Sequence, residues 1–234
     1  MAPRAIPSPI ETSAATQAHR ELTVGAESGF ASAAAKAYYD LTGIFPQSAD
    51  IRSDDDFDRH VVASIIAVAA SEGGSLAGHC GLSEGQLADA IARFFPKARL
   101  ESCVGSGAGA ALDSDEMEIV RDLLTANLSP AGDCAHWLAA MMARRAQEPN
   151  HLWEDLGLRD RSELTRLMAR FFPALALRND KNMRWKRFIY RVMCEDDGFV
   201  MCSTPVCTNC ADYGLCFGAE DGASRLTPTT RTPR

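Results

Sequence analysis

The sequence predicts a mostly α-helical fold, a helical bundle of repeated helical hairpins with a C-terminal cysteine-rich metal-binding loop. Three observations carry this expectation. Apolar residues recur at helical spacing through most of residues 27–200, and no alternating run of β-branched residues is long enough for a strand. Two stretches offset by 76 residues share one pattern. Four cysteines, Cys202, Cys207, Cys210 and Cys216, fall within fifteen residues near the end of the chain.

Taken in order, residues 1–26 are rich in Pro, Ala, Ser and Thr without apolar periodicity, and read as a disordered extension. A strong helix begins near Ser53, where the hydroxyl and Asp54, Asp55 and Asp56 suit a helix N-terminus. Phe57, Val61, Ile65 and Val68 form its apolar stripe, and Gly73-Gly74 ends it. Ser83 and Gln86 read as a capping box for a second helix with Leu87, Ile91 and Phe94 buried, stopped by Pro96. Residues 101–112 are small and Gly-rich, a linker. Helical patterns resume over 115–128, 133–147, 152–156, 162–172, with Pro173 beyond, and 182–194. Residues 218–234 read as a disordered tail.

The repeat aligns His60 through Gly81-Leu82 with His136 through Gly157-Leu158 without a gap. One inserted residue later, ADAIARFFP (88–96) meets TRLMARFFP (165–173). Duplication of an amphipathic helix pair accounts for the shared positions, placing the repeats at about 57–96 and 133–173.

Composition excludes several functions. The chain has 46% apolar and 24% charged residues, with 24 basic against 31 acidic, a formal charge of −7. A general nucleic-acid binder would carry a basic footprint. No stretch is apolar and long enough for a membrane span, and no secretory leader pattern opens the chain, so a cytoplasmic location is expected. There is no G-x-S-x-G, Walker A or dinucleotide fingerprint. VGSGAGA (104–110) lacks the Lys-Ser/Thr pair of a phosphate loop. The chain is not expected to be an enzyme.

Eight cysteines in 234 residues fall below a disulfide scaffold's density, and in a reducing compartment clustered thiols more often bind metal. The spacing C-x4-C-x2-C-x5-C begins with the plant-type iron–sulfur pattern but brings its fourth thiol after only five residues. Zinc knuckles are usually farther apart. Spacing therefore favours an iron–sulfur-type cluster, leaving structural zinc and unmetallated thiols open. Pro205 and Gly214 suit a loop that must turn around a cluster.

The helix before the loop, MRWKRFIYRVMC (183–194), has an apolar stripe of Trp185, Phe188, Ile189, Val192 and Met193. Arg184, Arg187 and Arg191 lie on another face, joined by Lys186. A solvated face accounts for them, and so does attraction of an anionic cluster or an oxyanion such as molybdate. Among further candidates, Cys194 ends this helix, and His151 stands beside Trp153. His60 and His136 fit hydrogen-bonding roles within the hairpins, and Cys80, Cys103 and Cys134 fit inert thiols.

NHLWEDLGL (150–158), LMARFFPALALRNDKNMRWKRFIYR (167–191) and the loop through CTNCADYGLCFG (207–218) closely resemble the NifQ family of nitrogen-fixation proteins. The resemblance is continuous over about 140–218 and weaker upstream to about residue 30. It implies a molybdenum carrier and donor for biosynthesis of the nitrogenase iron–molybdenum cofactor. It implies a Mo–Fe–S cluster held by the family's motif cysteines, here Cys202, Cys207, Cys210 and Cys216. The implied partners are the cofactor-scaffold proteins, the nitrogenase iron protein, and molybdate or another molybdenum source. The rival readings are a zinc-stabilised helical interaction module and an iron–sulfur electron-transfer protein.

Overall fold

The computed structural model describes residues 30–98, 114–130, 134–196, 198 and 206–227. The N-terminal extension, the 101–112 linker, Cys103, Cys202, Pro205 and residues 228–234 lie outside the described residues. The described residues are helical and contain no strand.

The organising element is α2 (Asp54–Ser71), an 18-residue helix whose N-cap Ser53 accepts from the Asp56 N–H at 3.1 Å. Such a cap contributes about 1 kcal/mol, and three aspartates in the first turn complement the macrodipole. Phe57, Val61, Ile65 and Val68 are fully buried as their spacing predicts, but so are most residues between them. A helix covered nearly all round is a core helix. One cover is α1 (Ala33–Thr42), which the sequence reading did not resolve as a helix and which packs along α2.

After α2 come α3 (Leu76–Cys80) and α4 (Glu84–Phe94), then α5 (Asp115–Ala126). The Ser83–Gln86 capping box is present. The apolar position at the end of α4 differs from expectation: Phe94 is only half-buried, and Phe95 is 1% exposed. Phe95 leaves the helix at φ −134°, ψ 57°, which turns its ring into the core.

The second half runs α6 (Cys134–Ala146), α7 (Leu152–Asp155), α8 (Arg161–Phe171), α9 (Pro173–Arg178) and α10 (Trp185–Asp196). Pro173 does not simply end α8. It occupies the first position of α9, where a missing N–H costs nothing. Phe172 before it has φ −133°, ψ 54°, nearly the dihedrals of Phe95.

Matched contacts recur at an offset of 76 residues. The Leu82 N–H donates to Ala77 O at 3.0 Å, and the Leu158 N–H to Trp153 O at 2.9 Å. Gly81 and Gly157 both hold left-handed backbone, φ +67° and +73°. Each presses on a core helix of the other half: a methyl on Gly81 would lie 2.8 Å from Ala140 O, and one on Gly157 2.9 Å from Ser64 O. The histidines at matched positions diverge. His60 is buried, 2.8 Å from the Tyr38 hydroxyl and 3.2 Å from Glu163, joining α1, α2 and α8. His136 is exposed and joins no such network among the described residues.

Ionic braces hold α2 to α8. Arg170 engages Asp58 through two bonds of 2.7 and 2.8 Å, and Arg166 reaches Asp54 at 2.8 Å. Composition reads 218–234 as a disordered tail, but residues 218–227 pack back onto the bundle. Leu226 is fully buried, Arg225 pairs with Glu72 at 2.7 Å, and the Ser32 hydroxyl donates to Arg225 O at 3.0 Å.

Candidate metal centre and basic cleft

The cysteine segment follows α10, whose Trp185, Phe188, Ile189 and Val192 are buried as the stripe predicts, with Met193 only half-buried. Cys207 opens a 3₁₀ turn, Cys207–Asn209, and the Cys210 N–H donates to Cys207 O at 3.0 Å. The chain turns again, with the Tyr213 N–H on Cys210 O at 3.1 Å, into α11 (Tyr213–Phe217), which carries Cys216. Cys216 and Phe217 pack against the core, whereas Val206, Tyr213 and Leu215 are exposed.

Arg184 fastens this segment to the bundle. Its backbone N–H donates to Cys216 O at 2.8 Å, and its guanidinium donates to Gly218 O at 3.2 Å and Ala219 O at 2.5 Å. Farther along, Arg161 pairs with Glu220, and Glu154 accepts from the Ala223 N–H at 3.0 Å. The role of Arg184 in the sequence reading, a member of a basic face, missed this stapling. Two glycines hinted at it: Gly218 and Gly222 leave room for close passage by Arg184 and by the Glu154 carboxylate.

Cys207, Cys210 and Cys216 are free thiols, half-buried and reachable from solvent. Cys207 lines a cleft of about 330 Å³ with Lys181, Thr208, Tyr213 and Phe217. Cys202 lies outside the described residues. Among the described residues, no group of three or more His, Cys, Asp and Glu side chains is arranged to hold a metal ion. The donor chemistry suits a thiophilic metal, and the described geometry does not itself converge on one.

The remaining thiols divide. Burial pushes the Cys80 thiol up to about 12, and burial followed by the Asp58 charge also raises Cys134, so both stay protonated. Cys194 is half-buried near the end of α10 and free.

His151 comes to the cysteine segment from a distant part of the sequence. It lines a second cleft, of about 250 Å³, with Arg184, Lys186, Arg187, Leu215 and Glu220. Lys186 pairs with the buried Asp155 at 2.7 Å; burial lowers its pKa despite that partner. Arg178 and Arg191 face elsewhere, paired with Asp196 and Glu195. The basic face of α10 thus splits, with Arg191 in an ion pair and Arg184, Lys186 and Arg187 forming a cationic wall.

These features define a mostly helical protein that presents a free-thiol segment beside a basic helix. The NifQ family model matches residues 61–218, and the chain belongs to the NifQ family of nitrogen-fixation proteins. It is 41% identical over 179 residues to a Protein NifQ homolog of Sinorhizobium fredii, covering 72% of this chain and 75% of the relative. It is 40% identical to Protein NifQ of Rhodobacter capsulatus (63% and 80% covered) and 37% identical to Protein NifQ of Azotobacter vinelandii (61% and 78%). No solved structure matches the chain. No helix among the described residues is long and apolar enough to cross a membrane.

Proposed function

We propose that the protein is a molybdenum carrier, not a catalyst, donating molybdenum for assembly of the nitrogenase iron–molybdenum cofactor. Cys202, Cys207, Cys210 and Cys216 supply thiolates to a Mo–Fe–S cargo. The observation that carries this reading is the position of the thiol segment: Cys207, Cys210 and Cys216 are free, reachable and fastened by Arg184 to the basic start of α10. Thiolate-bound clusters are commonly anionic, and nearby guanidinium groups complement that charge. Three thiolates on iron would leave molybdenum with exchangeable ligands, the arrangement that suits release. The recipients are the cofactor-scaffold proteins and the nitrogenase iron protein, meeting a carrier that works in the cytoplasm.

The matched glycines, carbonyl contacts and Phe95/Phe172 turns support a duplicated helical unit beneath this loop. Each unit is a long helix, a short one and a third, one element more than a hairpin.

Oxygen-free purification with elemental analysis and a visible spectrum tests the proposal. Iron and molybdenum in fixed proportion with broad visible absorption are expected. Colourless protein holding only zinc would establish the zinc-stabilised module instead, and iron without molybdenum the electron-transfer reading.

A further inference from the structure

We infer that the cleft formed by the start of α10, His151 and Glu220 is a binding site for a small tetrahedral oxyanion. This deepens the proposed function and rests on it only for molybdate as the natural occupant. Three cations, Arg184, Lys186 and Arg187, converge on the cleft. Two of them have protein acceptors: Arg184 the Gly218 and Ala219 carbonyls, Lys186 the Asp155 carboxylate and the Glu148 carbonyl. Arg187 is half-buried and has no hydrogen-bond or ion-pair partner among the described residues. Glu220, the acid in the wall, is occupied by Arg161.

The placement of Arg187 is unfavourable without a ligand. A cation in the first turn of a helix faces the positive end of its dipole. The first turns of α2, α4, α5, α7 and α8 carry acids; those of α1, α3, α6, α9, α10 and α11 carry none, and α10 sets Lys186 and Arg187 there. An anion would reverse the sign of that interaction and could also accept from first-turn N–H groups, which lack intrahelical acceptors.

Size and shape narrow the class. About 250 Å³ lies below the roughly 300–1,000 Å³ of clefts for drug-sized ligands. A guanidinium fork matches two oxygens of a tetrahedral oxyanion. Leu215 in the wall immediately precedes Cys216, so the bound anion would sit beside the thiol segment.

Equilibrium dialysis of the full chain under anaerobic conditions against molybdate, with sulfate as competitor, tests the site. Saturable binding of one anion per chain is expected. Arg187→Glu should weaken it at least about tenfold, the scale of one charged hydrogen bond. Arg178→Glu makes the same charge change on a neighbouring helix outside the cleft, and should leave affinity within about twofold. Cys207→Ser should bind the anion like the wild type. Equal loss in the two arginine variants, full binding by Arg187→Glu, or no saturable binding would overturn the site. Anion binding lost in Cys207→Ser would also overturn it, by assigning the anion to the thiolates. Preference for sulfate over molybdate would overturn the cleft's part in molybdenum entry. Anion binding by a protein that carries only zinc would sink the carrier function and leave the cleft standing.

Discussion

Gly81 meets Ala140 as Gly157 meets Ser64: each glycine, in left-handed conformation, lies against a core-helix carbonyl, where a methyl would come within 2.8 and 2.9 Å. An L side chain at either position is strained by its backbone angle and then collides with main-chain atoms that cannot rotate away. Gly81→Ala and Gly157→Ala should each cost about 2–3 kcal/mol. Urea denaturation of both variants checks this, and a loss at one site without the other would argue against matched roles.

Cys207→Ser should remove most of the iron and molybdenum from the purified protein. The helical circular-dichroism signal should stay at the wild-type level, because Cys207 packs on no core residue and sits in a three-residue turn. Wild-type metal content in that variant would displace Cys207 from the site.

Thiol labelling of the native, metal-free protein should separate two classes of cysteine. Cys207, Cys210 and Cys216 should alkylate readily, whereas Cys80, fully buried with its thiol held protonated, should react only on unfolding. Arg184→Ala removes the guanidinium that grips Gly218 and Ala219, so Cys216 should then label several-fold faster. Peptide mass mapping of the adducts reads both results.

Glu72 gives a pH dependence. Burial pushes its carboxyl upward, but hydrogen bonds and charge from Arg145 and Arg225 outweigh that and hold it at about 2, below its ordinary 4.5. A depressed carboxylate stabilises the fold above its unfolded value and loses that contribution as pH falls. Stability should therefore decline between pH 4.5 and about 2. Glu72→Gln removes the charge that faces the fully buried Arg145 guanidinium and leaves it Glu148 at 3.9 Å, costs about 2–3 kcal/mol at neutral pH, and should flatten that decline. Urea midpoints across this pH range measure both effects.

Much of the helical framework was legible because periodicity and caps agree. The stripe from Phe57 to Val68 and the Ser83–Gln86 box each announce a helix in local residues alone. Helix α1 was not, because its buried face is largely alanine and tyrosine, which mark no strong stripe. Pro173 lies just beyond α8 as its position predicts, but the sequence reading did not separate α9, because the same ring that blocks one helix is accepted at the start of the next. The docked tail depends on single tertiary contacts, Arg225 with Glu72 and Leu226 in the core, and these leave no periodic trace. At the candidate site, spacing revealed the thiols but not the cleft. His151 and Arg187 are 36 positions apart, and only the packing of α7 beside α10 and the tail brings them to one wall.

Anchorage gives the described part of the cysteine segment, residues 206–218, the character of a clamped turn and not a dangling end: Arg184 grips its end, and Glu154 and Glu72 hold the chain beyond it. Much of the freedom that a loose strand would surrender on wrapping a metal is already absent. A synthetic peptide copying residues 201–218 should accordingly capture the same cargo more weakly than the intact chain.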